Sequence, residues 1–289
     1  CSELDVPNFD RSAMDGYAVR AEDVQELPVP LEVIGTAPAG EAYEGILRPN
    51  EAVRIFTGGP VPDGADAIVI QENTIAEANT VTVTEGSTAA GRYVRPAGLD
   101  FKEGQKLLSA GRALTARDIG LAAGMNVPWL KVRRKPLIAL LATGDEITMP
   151  GDPIGAHQIV SSNGLALSSF IAAEGGCAID LGISPDSRNT LKAMAAGVRG
   201  ADMLVTTGGA SVGDHDIVQS VLGEVGLEVD FWRIAMRPGK PLIFGRIAKT
   251  PILGLPGNPV SAMVCALIYL GPAIRSMLRL SDGGTPMAS

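Results

Sequence analysis

The sequence predicts an α/β protein. A mostly parallel sheet with helices on both faces is expected over residues 136–280. A β-rich inserted domain is expected at 27–97, and a small discontinuous connecting domain from 1–26 and 98–135. Residues 281–289 read as a tail. Three observations carry this reading. Strand-length apolar runs alternate with helix-period runs after residue 136. Short β-type runs broken by Gly, Pro and Asp fill 27–97. The 35 Gly and 20 Pro among 289 residues favour many turns and short elements over long helices. The length suits about two domains, and 46% hydrophobic residues can fill a sizeable core.

In order, Pro136–Thr143 reads as a buried strand ending at Gly144. Ser162-Asn163 starts a helix, with Leu167, Phe170, Ile171 and Glu174 at helical spacing, and Gly175-Gly176 stops it. Ile179–Ile183 is a second strand, and Leu191, Met194 and Val198 mark a second helix. Asp202–Thr206 is a third strand entering Gly208-Gly209, followed by a helix marked by Ile217, Val218, Val221, Leu222 and Val225. Strands near Val229–Ala235, Leu242–Phe244 and Ile252–Leu255 come next. The last helix starts at Asn258-Pro259, an N-cap followed by Pro at the first helical position. Such alternation implies parallel strands covered on both faces, with ligands bound beyond the strands' carboxyl ends.

In the β-rich region the runs are Leu31–Ile34, Ala52–Phe56, Ala67–Ile70 and Thr80–Thr84. Leu114, Ile119, Leu121 and Ala122 suggest a helix in the second flank of the connecting domain.

Several function classes are disfavoured. The net charge is −8, so a face built to coat nucleic acid is not expected, and 4% aromatics leave few stacking platforms. Lys131, Arg133, Arg134 and Lys135 read as a solvated stretch before a strand. The 3 cysteines, Cys1, Cys177 and Cys265, lack CxxC spacing, which fits a reducing, cytoplasmic setting. The 2 histidines, His157 and His215, are far apart, so a His/Cys zinc site is poorly supported. The longest apolar stretch, near Val260–Leu270, is shorter than the ~20 residues of a membrane span. The chain opens on Cys1 rather than Met, so residues are expected upstream.

Four motifs carry chemistry. Thr143-Gly144-Asp145-Glu146 places two acids just past a strand, and Mg²⁺ commonly takes one or two carboxylates plus phosphate oxygens. Read alone, the motif is more simply a helix cap supplied by Asp145. Gly208-Gly209-Ala210-Ser211-Val212-Gly213 is a glycine-rich loop whose N–H groups can cradle an anion, and is neither a GxGxxG nor a Walker A loop. Asp214 and Asp216 follow it, and capping of the next helix is their simpler role. Arg237-Pro238-Gly239-Lys240 offers two cations, and Pro256-Gly257-Asn258-Pro259-Val260-Ser261 opens a helix with a hydroxyl in its first turn. Together these suit a tetrahedral oxyanion; singly each is a turn or a cap. Ser12–Ala18, with Asp15 between Met14 and Gly16-Tyr17, reads as a turn at Asp15-Gly16.

Taken as an ordered set, these segments resemble the molybdopterin molybdotransferase family, which includes bacterial enzymes, plant fusion enzymes and the E domain of gephyrin. The strings are Phe9–Ala18, Arg54–Pro62, Arg95–Gly98, Ala142–Glu146, Ser184–Asp186, Gly208–Gly213, Met236–Pro241 and Leu255–Ser261. They cover nearly the whole chain. Arg11 stands where the family commonly has Asn, and Asp214-His215 where Glu-Ala is frequent, while Asp216 keeps the expected acid. Family chains are usually longer, with an N-terminal helix and a C-terminal β domain.

The resemblance implies insertion of molybdate into adenylylated molybdopterin with release of AMP, helped by Mg²⁺ or another divalent cation. It implies a homodimer, with Asp15 and Thr57 reaching the cleft from the partner subunit, and dealings with other molybdenum cofactor biosynthesis proteins. Asp15, Thr57, Asp100, Glu146, Asp186 and Asp216 are the expected catalytic set, and Glu146, Asp186 and Asp216 the expected metal ligands. Thr143, Gly144, Asp145, Ser162, Gly208, Gly209, Ser211, Gly213, Arg237, Lys240, Pro256, Gly257, Asn258, Pro259 and Ser261 are the expected binding residues. Two alternatives remain open: a non-catalytic scaffold on the same fold, and the related adenylyltransferase step. Intact acids at Glu146, Asp186 and Asp216 favour the enzyme over the scaffold. The β-rich insertion and the Pro256–Pro259 segment argue against the adenylyltransferase.

Overall fold

The structure is a computed structural model that describes residues 1–86, 89–184, 200–208 and 227–281. It divides into two compact units, Cys1–Ser109 with Leu114–Leu130, and Ala110–Ala113 with Lys131–Ser289. The helices expected around Leu191–Val198 and Ile217–Val225, and most of the tail, lie outside the described residues.

The first unit holds β1 (Arg11–Ser12), β2 (Gly16–Val19), β3 (Val29–Ala37), β4 (Glu51–Ile55), β5 (Ala67–Ile70), β6 (Thr74–Glu77), β7 (Thr80–Val83), β8 (Val94–Arg95) and α1 (Ala116–Gly124). Six of these strands form one sheet in the order β5-β2-β4-β3-β7-β6. Side chains alternate between two cores. Tyr17, Val19, Ala52, Ala67 and Val69 pack on one face, and Ala18, Val53, Ile55 and Ile68 on the other. The expected boundary at residue 27 does not bound this sheet, because β2 sits inside it between β4 and β5. The turn expected at Asp15-Gly16 is the start of that strand. A four-residue strand shows too little periodicity to be read, and Gly16 is there for proximity: a Cβ on it would collide with the Val69 carbonyl.

The two flanks of the connecting region meet. Val6 bridges Phe101, the Ser2 amide donates to the Gln105 carbonyl, and the Glu3 amide to the Met125 carbonyl. Phe101, Ala122 and Met125 form their small core. Thr115 caps α1 reciprocally with Asp118.

The second unit holds β9 (Leu137–Thr143), β10 (Ile147–Thr148), β11 (Ile159–Val160), α2 (Asn163–Ala173), β12 (Cys177–Ser184), β13 (Met203–Thr207), β14 (Leu227–Arg233), β15 (Pro241–Ile247), β16 (Thr250–Leu255), α3 (Pro259–Cys265) and α4 (Gly271–Leu278). Its six-stranded sheet runs β12-β9-β13-β16-β15-β14. The pairings β12/β9, β9/β13 and β13/β16 are parallel; β16/β15 and β15/β14 are antiparallel. The switch follows from linkage: only Ala248 and Lys249 join β15 to β16, a hairpin length, whereas parallel neighbours need a long crossover. Both faces are buried. Ile138, Leu140, Val205 and Leu253 pack with α2 and α3 residues, while Ala139, Leu141, Leu204 and Ile252 form a second core on the opposite face.

The final helical run extends from Pro259 to Leu278, through a π-helical turn at Ala266–Leu270, and is longer than the apolar stretch predicted. Its length and composition match a membrane span, but Ala262, Cys265, Ala266, Leu270 and Ile274 are fully buried in the main core. Leu204 lies at the centre of the sheet with no exposed surface. Leu204→Ala is expected to cost about 2–5 kcal/mol, the usual toll of a large-to-small change in a packed core. A denaturation midpoint unchanged from wild type would contradict this packing.

Candidate functional site

A cleft of about 530 Å³ opens over the carboxyl ends of β9, β13 and β16. The sheet brings three loops together there. Thr143 ends β9, with Gly144 and Glu146 after it; after β13 comes Gly208; after β16 come Pro256, Gly257, Asn258, Pro259 and Ser261. Close approach of the first two loops requires glycine. A Cβ on Gly208 would collide with the Thr143 carbonyl, and its φ of 91° is one that L side chains rarely adopt.

The Glu146 carboxylate folds back over Gly144. Ser162 lines the cleft just ahead of α2, with no capping hydrogen bond from its side chain. Thr143 is 4% exposed, and its Oγ1 has no partner among the described residues. Asn163 reaches across from α2: its Nδ2 donates to Thr207 Oγ1 at 2.7 Å and to the Gly257 carbonyl at 2.8 Å. The short parallel ribbon β10/β11 supplies an apolar wall of Ile147, Ile159 and Val160.

Asn258 caps α3 as expected, its Oδ1 accepting from the Val260 and Ser261 amides at 3.1 and 3.2 Å. Those first-turn N–H groups are taken by the cap, so they are not free to serve an oxyanion. Arg237 and Lys240 are exposed and do not line the cleft, although Pro241, next in the chain, does. Asp145 is likewise outside the lining. Gly209, Ser211, Gly213, Asp186 and Asp216 lie outside the described residues. Of the three expected metal ligands, only Glu146 is therefore placed, and no group of three or more His, Cys, Asp or Glu side chains forms a metal site among the described residues.

In the first unit, Asp15 and Thr57 come together. Asp15 Oδ1 accepts from the Thr57 amide and from Thr57 Oγ1, both at 2.7 Å. The Arg54 guanidinium donates to the Gly16 carbonyl at 3.0 Å and stacks over both Tyr17 and Phe56. The Thr57 amide, the Thr57 hydroxyl and then the nearby Arg54 charge hold the Asp15 carboxyl below its ordinary 3.8. Asp100 is engaged elsewhere, accepting from Arg95 Nη2 at 2.7 and 2.9 Å.

Residues 1–125 match the family model described as MoeA N-terminal region (domain I and II), and residues 139–276 match the probable molybdopterin binding domain. A Nostoc protein named molybdopterin molybdenumtransferase is 38% identical over 99% of this chain, which covers 67% of that protein. The chain belongs to the molybdopterin molybdenumtransferase family. A Haemophilus influenzae member is 38% identical over 96% of the chain and 68% of its own length. The crystal structure of a molybdopterin biosynthesis moeA protein from Pyrococcus horikoshii superposes with a TM-score of 0.85 at 36% identity, over 97% of this chain and 72% of that one.

Nothing in the sequence marks Asn163, Thr207, Ile147, Ile159 and Val160 as site residues. Asn163 is legible only as a helix start. The apolar wall comes from a ribbon of two-residue strands, which periodicity cannot detect.

The Asp15 pair gives a test. A lowered folded pKa means that Asp15 contributes stability above the ordinary carboxylate value, and the contribution is lost as pH falls through the lowered folded value. Thr57→Val removes one of two hydrogen bonds and is expected to move the Asp15 titration upward, as followed by NMR of the side-chain carboxyl. An unmoved titration would show that the hydroxyl does not act on Asp15.

Proposed function

We propose that this chain inserts molybdate into adenylylated molybdopterin with divalent-cation-dependent release of AMP, acting as a cytoplasmic homodimer. The observation that carries the reading is the cleft itself. It combines a polar floor at strand ends with an apolar wall, within a region matching a molybdopterin-binding domain. Exposed Phe9, Met14 and Phe56, which neighbour Asp15 or Thr57 or share their motifs, support a partner surface on the first unit.

The reaction brings two anions together. The two dithiolene thiols of the pterin bond to molybdenum as one molybdate oxygen leaves with their protons as water, and water attacks phosphorus as the P–O bond to the adenylate breaks and AMP leaves. The residues must therefore hold negative charge without adding to it. Thr143, Thr207 and Ser261 offer uncharged hydroxyls at the cleft. Ile147, Ile159 and Val160 suit the flat face of a ring system and exclude water from it. Arg237 and Lys240 bring positive charge at the edge beside Pro241. A divalent cation, when bound, would neutralise phosphate charge, and the Glu146 carboxylate is the described oxygen donor for it. Asp15, kept ionised by Thr57 and Arg54, is suited to accept a hydrogen bond from, and so orient, a donor on the substrate.

Incubation with adenylylated molybdopterin, Mg²⁺ and molybdate should release AMP, and loss of Mg²⁺ should suppress it. No AMP from the folded protein would remove the proposal. Arg237→Ala is expected to weaken molybdate binding by about 1.5–3 kcal/mol, the worth of a hydrogen bond to a charged group, with little change in pterin binding. Equal losses for both ligands would assign Arg237 to the pterin phosphate or to the fold instead.

A further inference from the structure

Thr207 ends β13 at the floor of the cleft and is 3% exposed. Alternation along the strand puts it on the side of Val205, the face covered by α2. There Asn163 meets it. One Asn163 amide nitrogen serves both Thr207 Oγ1 and the Gly257 carbonyl, so both of its protons are committed. An amide nitrogen accepts no hydrogen bond, so the Thr207 hydroxyl cannot turn its own proton back to Asn163. That proton meets no acceptor among the described residues. Thr143 Oγ1, buried and without a partner among the described residues, lines the same cleft. A buried hydroxyl proton without an acceptor is costly, and the Thr207 proton beside the unpartnered Thr143 hydroxyl marks where an oxygen atom of a ligand comes to rest.

The geometry points to Thr207 as a hydroxyl donor to an anionic oxygen of the bound substrate, with Asn163 as the positioning residue that aims it. This rests on the reading of the cleft as the site for adenylylated molybdopterin. The Gly257 carbonyl fixes the plane of the Asn163 amide, and the amide fixes the Thr207 rotor. The substrate thus meets a donor already turned toward it rather than one that must be ordered on binding. The acceptor belongs to a phosphate or to molybdate, which share tetrahedral oxyanion chemistry.

The test compares Thr207→Val, Thr207→Ser, Asn163→Leu and the Asn163→Leu/Thr207→Val double variant with wild type. Thermal melts of each establish that it is folded. AMP release from adenylylated molybdopterin yields kcat and KM, and calorimetry yields the affinities of AMP and of molybdate. Thr207→Val should lower kcat/KM about ten- to hundredfold, the loss of one hydrogen bond to a charged group, while Thr207→Ser stays within a few-fold of wild type. Asn163→Leu should cost several-fold alone and nothing further in the Thr207→Val background. Weaker AMP binding with unchanged molybdate places the acceptor on the phosphate; the reverse places it on molybdate. A folded Thr207→Val with wild-type kcat/KM, or full additivity of the two changes, overturns the inference. A wild type that releases no AMP overturns the functional reading instead. In that event the affinities still decide on Thr207, because equal binding of both probes by wild type and Thr207→Val overturns its role.

Discussion

The cleft exists because two strand ends touch through backbone. Gly208 lies against the Thr143 carbonyl, and any side chain at 208 would drive β9 and β13 apart at their carboxyl ends. Gly257 comes up from the other side, where an added Cβ would stand 3.4 Å from the Gly208 Cα. Three loops that each carry site residues are thus pinned at one point. The polar side chains then arrange themselves around that contact: Asn163 bridges the end of β13 to the third loop, and the Thr143 hydroxyl is buried beside it without a partner among the described residues. Hydrophobic packing builds the sheet, with Ile138, Leu140 and Val205 on one face and Ala139, Leu141 and Leu204 on the other. Packing alone, however, would not choose where the loops meet. The glycine contact does.

The first unit solves a different problem, that of keeping a half-buried acid charged and pointed. Asp15 is only half-buried, so its orientation comes from two hydrogen bonds donated by one residue, Thr57. Arg54 works one step back. It grips the Gly16 carbonyl, its side chain is held between the Tyr17 and Phe56 rings, and its charge favours the ionised form of Asp15. The whole device hangs on β2 being an interior strand. Paired with both β4 and β5, it puts Asp15 at the mouth of the sheet within reach of Thr57 just past β4.

What was legible in the sequence follows the length scale of each feature. The strands β9, β12, β13 and β16 and the helix α2 are long, apolar and separated by Gly or Asn, so period and punctuation reveal them. The Asn258-Pro259 cap is a local code and reads correctly. Its consequence does not: nothing in the string shows that the cap would consume the amides that an oxyanion might use. Elements held only by tertiary contact stay hidden. β2 has four residues and the ribbon β10/β11 has strands of two, so neither carries a usable period. Asn163 and Thr207 are 44 positions apart, and their bond appears only once the sheet is assembled. Acids after strands, such as Glu146, are visible as a pattern, but whether a given acid faces the cleft or stands outside its lining, as Asp145 does, depends on the turn geometry of a single residue.

The change of strand direction within the second sheet has its own use. In an all-parallel sheet every strand enters from the edge opposite the ligand, and the chain returns through a helix along one face. Here β15 runs against β16, so its first residue, Pro241, stands beside the carboxyl end of β16 and lines the cleft. Arg233 pairs with Pro241 across the β14/β15 ladder, so the connection between them, residues 234–240, is confined to that same edge. The Ile234 amide donating to the Lys240 carbonyl closes the connection into a compact loop. Two cations are therefore delivered to the rim by a short turn, without a crossover helix to bury them. Arg237 and Lys240 are solvated there, which avoids the desolvation that a buried, unpaired charge would cost. Neutral hydroxyls thus line the floor, and the two solvated cations stand on the connection that enters the cleft at Pro241.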